Sequence, residues 1–159
     1  MKASFENTVN ILVKAYLNDT LEHLKCSACA VGNLVAAADN TTPRRYPDNK
    51  LDGMGLKFDC WNWANNRQVA WYDVFMTTGG TQRITPELYS DEAKRQIDVT
   101  GYAWEELARI EYAFETAPKG KDNDEWMFNG LMAVVDVLAD IHQVDLSVKE
   151  SAKLLFVKA

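Results

Sequence analysis

Apolar residues recur along this chain mostly at the three-and-four spacing of a helix, and seldom in the strict alternation of a half-buried strand. Phe5, Val9, Leu12 and Tyr16 predict an amphipathic helix over residues 5–17. Asn18, Asp19 and Thr20 interrupt it, and Asp19 followed by Glu22 gives a capping-box-like restart. From there Leu21, Leu24, Ala28, Val31, Val35 and Ala38 keep to one helical stripe, rich in Ala, Gly and Cys, against which another backbone can come close. Gly32 lies within it, at a cost of about 1 kcal/mol relative to Ala in a helix interior. Either Gly32 permits tight packing or the helix breaks nearby.

Residues 39–68 are the least regular part, with Pro43, Pro47 and many turn formers. The aromatic run around Cys60, Trp61 and Trp63 is too apolar for free solvent, so the insertion is expected to tuck back onto the helices. Residues 69–76 form a short apolar segment, strand or helical turn, ended by Gly79 and Gly80. Thr85 and Pro86 read as a helix start, running to about Val99, with Gly101 as punctuation. Ala103, Leu107, Ile110 and Phe114 mark the next helix, with Glu105, Glu106, Arg109 and Glu115 on other faces. A polar turn from Pro118 to Asp124 leads to the strongest pattern, Met127, Leu131, Val134, Leu138 and Ile141. Ser147 with Glu150 is a capping box for a last short helix, with Val148, Ala152 and Leu155 facing inward. The expected fold is all-α in the main: one domain over 1–159, with five to six helices in an irregular bundle and a loop-rich insertion at about 39–80.

A chain of 159 residues buries about 68–70% of its unfolded surface and needs no disulfide or metal to fold. Three cysteines are too few for a disulfide framework, and reduced thiols in the cytoplasm are the default. No apolar run approaches the ~20 residues of a membrane span, and the N-terminus lacks the apolar core of a signal peptide and carries Glu6 early. The formal charge of −6 disfavours nucleic acid as a partner. Residues 101–145 hold ten acids against Arg109, Lys119 and Lys121. That is either a solvated helix face or a surface for a basic partner.

Four kinds of chemistry have candidate residues. His23, Cys26 and Cys29 have a spacing that can serve zinc, with Cys60 or His142 needed to complete a tetrahedron. Against this, small thiols fill tight helix interfaces. Cys26 and Cys29 are also a dithiol pair, but a reactive pair belongs at a helix N-terminus, and here a helix is expected to precede it. Cys60 with His142 and Asp145 has the order of a cysteine nucleophile, though the spacing gives no sign that they meet. Arg44, Arg45, Trp61, Trp63 and Trp71 offer arginines for anions and aromatics for stacking on a small ligand. The competing reading is that the aromatics anchor the insertion. Phosphate-loop, dinucleotide and His-Glu-x-x-His motifs are missing. Asp122 and Asp124 begin like a calcium loop, which Trp126 breaks.

The run Cys26, Ser27, Ala28, Cys29, Ala30, Val31, Gly32, Asn33, Leu34 resembles a segment of small uncharacterised bacterial and bacteriophage proteins, in which Cys-Ala-x-Gly-x-Leu opens or centres a helix. Residues 101–107 and 110–114 are similar to a second helical block of such proteins. The resemblance implies a bacterial or phage origin and no particular activity. The function expected is that of a small non-enzymatic binding protein, acting on a protein or small-molecule partner through the acidic face or the aromatic pocket, with self-association open. The alternative is a zinc-binding or thiol-dependent protein centred on Cys26 and Cys29.

Overall fold

The computed structural model describes residues 4–23, 29–38, 61–62, 67–68 and 98–157. Among these the fold is all-α. It comprises α1 (Phe5–Leu17), α2 (Ala30–Ala38), α3 (Trp104–Thr116), α4 (Asn123–His142) and α5 (Leu146–Leu154), and residues 98–100 are helical. Trp61–Asn62 and Arg67–Gln68 pair as a two-residue antiparallel ladder, with Trp61 opposite Gln68. Arg44, Arg45, Cys26, Cys60, Trp63, Trp71 and the predicted helix start at Thr85 lie outside the described residues.

α1 begins where Ser4 takes the N-cap and its hydroxyl accepts the Asn7 N–H. Its buried residues are Phe5, Thr8, Val9, Leu12, Ala15 and Tyr16, the predicted face. The next element departs from the reading of the sequence. Asp19 does not restart a helix: it takes a left-handed φ of 60°, and residues 20–23 are not helical. α2 starts only at Ala30, with Cys29 in the cap position, where its carbonyl accepts the Asn33 N–H. Buried Asn33 fixes the connection. Its amide nitrogen donates to the carbonyls of Thr20 and Cys29, and its amide oxygen accepts the Thr20 hydroxyl. These polar groups offer the chain before α2 a different set of partners from a helical ladder. Gly32 sits buried inside α2, which continues through it.

α3 and α4 make the most extensive helix pair, joined by a turn over 117–122. Leu107, Ile110 and Phe114 from α3 meet Leu131, Val134, Val135 and Leu138 from α4, all fully buried. Each such side chain contributes roughly 1.5–3 kcal/mol through removal from water. α2 packs on α1 and α3, α1 reaches α4, and α5 lies on α4. At the start of α5 the structure departs from the reading of the sequence. The N-cap is Asp145, whose Oδ1 accepts the Val148 N–H and the Ser147 hydroxyl, so Ser147 is not the cap. Ala152 is buried as expected, but Val148 and Leu155 are exposed and Phe156 is buried in their stead. A carboxylate two residues earlier outcompetes the hydroxyl for the free N–H groups of the first turn.

Candidate functional site

His23, after α1, brings a polar side chain into the α3–α4 pair. The His23 imidazole lies between Phe114, 4.2 Å away between ring centroids and 15° between planes, and Trp126, at 3.7 Å and 6°. Gly130 makes the room: a Cβ there would fall 2.7 Å from the Phe114 carbonyl oxygen and 3.3 Å from His23 Cε1. His23 Nδ1 stands 3.5 Å from Glu115 Oε2, and both side chains are only 6% exposed. Among the described residues neither imidazole nitrogen has a hydrogen-bond partner, and neither does the buried Trp126 Nε1. The Lys119 ammonium lies 5.0 Å from the Trp126 ring centroid, within cation–π range.

Cys29 is buried beside this corner, and its Sγ accepts the Gly32 N–H at 3.4 Å. Burial pushes its thiol pKa well up, and the nearby charges of Glu111 and Glu115 push it further. The hydrogen bonds from Gly32 and Val31 oppose this and lose. A cysteine at a helix start is a place where a reactive thiolate forms. Here desolvation and two carboxylates outweigh the helix dipole, so Cys29 stays a thiol. Glu111 is buried and the Glu115 side chain nearly so. The expectation that Glu115 lies on an outer face is therefore corrected. Glu111 carried a local signal, since it falls in the same helical register as Leu107 and Phe114. Among the described residues no three His, Cys, Asp or Glu side chains are gathered as a metal cluster.

His142, the other histidine, ends α4 away from any cysteine described. Its Nε2 and the Tyr102 hydroxyl are 2.7 Å apart, and that hydroxyl also bonds Thr8 Oγ1 at 2.7 Å. Burial lifts the Tyr102 phenol to about 12. Asp145, the third member of the supposed nucleophilic order, is committed to capping α5.

The acidic segment is largely used within the fold. Asp122 caps α4, Glu106 Oε1 accepts the Ala103 N–H at the start of α3, and Glu125 accepts the Lys121 N–H. Asp140 pairs with Arg109, and Asp136 with Lys149 and Lys153. Glu111 and Glu115 are turned inward, while Glu105, Asp122, Asp124, Asp136 and Asp140 stay exposed. A different surface stands out. Phe5, Glu6, Val9 and Asn10 from α1, with Ser147, Val148, Ser151, Ala152 and Leu155 from the C-terminal segment, line an open groove of about 450 Å³. Of its apolar lining, Val148 and Leu155 are exposed at 38% and 52%.

The fold is thus that of a small helical protein with a buried polar corner and an open apolar groove. No protein-family model, curated protein or solved structure matches the chain. Among the described residues no helix is long and apolar enough to cross a membrane.

Proposed function

We propose that this chain is a cytoplasmic binding protein and that the groove between α1 and α5 docks an amphipathic helical segment with a basic flank. The observation carrying this is the groove itself, with exposed Val148 and Leu155 in its apolar lining. Clustered apolar surface of this kind, edged by polar residues, marks interaction sites, and an amphipathic helix laid in a groove is a recurring mode of recognition. Charge selects the occupant. Among the described lining residues Glu6 is the charged one, and Asp145 stands at the adjoining start of α5. Lys149 and Lys153 are turned to Asp136. The net charge of −6 also opposes docking of a second copy and favours a basic partner.

The test is fluorescence anisotropy with a labelled Leu/Lys amphipathic helix, alongside a Leu/Glu helix of the same pattern. The basic peptide is expected to bind, and Leu155→Lys and Glu6→Lys are each expected to weaken it. Equal binding of both peptides, or full binding by both variants, overturns the proposal. So does a dimer in light scattering that Leu155→Lys dissociates, which would make the occupant a second copy.

A further inference from the structure

We infer that the groove takes its helical partner in one direction, antiparallel to α1 and α5, with the partner's basic residues in its last turn. The inference rests on the groove being the docking site and adds the polarity of the occupant. Two ring contacts fix how the walls run. At one end Phe5, the first residue of α1, meets His142, three residues ahead of the Asp145 cap of α5, at 6.0 Å between ring centroids. At the other end Tyr16, in the last turn of α1, meets Phe156, just beyond α5, at 6.1 Å. The two helices therefore run the same way along the groove, and their N-termini share one end of it. From Ser147 to Leu155 the lining spans about 12 Å at about 1.5 Å per residue, a little over two turns of an occupant.

Charge is arranged with the same polarity. Exposed Glu6 lies in the first turn of α1 and Asp145 caps α5, so two carboxylates stand at the end where the helices begin. The Val148 N–H and the Ser147 hydroxyl hold the Asp145 carboxyl below its ordinary pKa, so it stays ionised. Lys14, exposed in the last turn of α1, follows Glu6 and Asn10 at four-residue spacing. It therefore lies on the same side of α1, toward the opposite end of the groove. An occupant with cations near Glu6 and anions near Lys14 is complementary to both ends. The backbone dipoles ask for the same order. A helix is positive at its N-terminus and negative at its C-terminus, so an antiparallel occupant lays its negative end beside the positive ends of α1 and α5. Within the occupant itself, lysines are favoured in the last turn and glutamates in the first. Side-chain charge, dipole alignment and the occupant's own helicity thus select one direction.

The experiment uses the isotope-labelled full chain and three helical peptides with one leucine pattern. The first carries lysine at every polar position. The second has glutamates in its first turn and lysines in its last, and the third has these exchanged. The all-lysine peptide, with a nitroxide at its C-terminus, is expected to broaden the amide resonances of Glu6 and Ser147 more than those of Lys14 and Leu155. The second peptide is expected to bind about threefold or more tightly than the third, as two exposed charge pairs allow. Glu6→Lys combined with Lys14→Glu is expected to remove that preference, with circular dichroism reporting that the variant is folded. Stronger broadening at Lys14 and Leu155, or equal broadening at both ends, overturns the orientation and leaves the groove as a docking site. A preference that survives in the double variant also overturns it, since the peptides' own helicity would then be the cause. No binding of the all-lysine peptide removes the docking site and the orientation together.

Discussion

The rings of His23 and Trp126 lie face to face, 3.7 Å between centroids and 6° from parallel. One belongs to the non-helical connection after α1, the other to the first turns of α4. Their stacking, with Phe114 on the opposite face of the imidazole, ties that connection to the α3–α4 pair. Aromatic pairs of this kind contribute about 0.5–1.5 kcal/mol beyond the area they bury.

Gly130→Ala tests the close approach that the stack depends on. Alanine is favoured over glycine in a helix by about 1 kcal/mol. Here its Cβ would stand 2.7 Å from a backbone oxygen of Phe114, which has no rotamer to escape into. Overpacking of this sort costs about 1–3 kcal/mol, so the net expectation is a lower denaturant midpoint. A midpoint equal to or above the wild type would show that α3 and α4 are not held this tightly.

Tyr102→Phe removes one hydroxyl that serves both Thr8 on α1 and His142 on α4. Thr8 is fully buried, so its own hydroxyl loses a partner. The expected loss is about 1–3 kcal/mol, read by chemical denaturation.

The same phenol sets an alkaline limit. Its folded pKa is about 12, raised chiefly by burial from an ordinary 10.0. A raised pKa means that the folded state holds its proton longer than the unfolded chain. The associated stability is complete below pH 10 and is lost as pH rises from there toward 12. Melting temperatures across that range should fall more steeply in the wild type than in Tyr102→Phe; parallel curves would contradict the assignment.

Gln143→Gly is expected to stabilise. Gln143 closes α4 in a left-handed conformation, φ 55° and ψ 44°, with the Val144 N–H reaching back to the Ala139 carbonyl. Glycine takes that conformation without the Cβ penalty of about 1–2 kcal/mol. Its looser unfolded state returns part of the gain, so a rise of a few degrees in melting temperature is the expected reading.

Phe156→Ala should cost about 3–5 kcal/mol. Phe156 follows the last turn of α5 yet is fully buried, near Tyr16 of α1. A mild effect would mean that the C-terminal segment detaches easily.

Local rules were enough for α1, α3 and α4. Each has an apolar stripe long enough to fix its face, and for α1 and α4 a side chain just ahead of the first turn also fixes the start. They failed at Asp19 and Ser147 for different reasons. At Asp19 contacts distant in sequence decide: Asn33 holds the Thr20 carbonyl, and the aromatic stack holds His23. At Ser147 the competitor is local, since Asp145 two residues earlier takes the Val148 N–H. Packing alone set which side of α5 is covered, leaving Leu155 exposed and Phe156 in the core.

The sequence by itself determined an all-α chain, the three long helices and His23 and Cys29 as residues worth watching, because helical periodicity and thiol or imidazole chemistry are written residue by residue. Only the tertiary structure decided that Glu111 and Glu115 point inward toward that thiol and imidazole, and that α1 and α5 leave a groove between them. Charge pattern along one helix does not reveal which face its neighbours will cover. Contacts between His23 and residues of α3 and α4 exist only once packing has brought distant parts of the chain together.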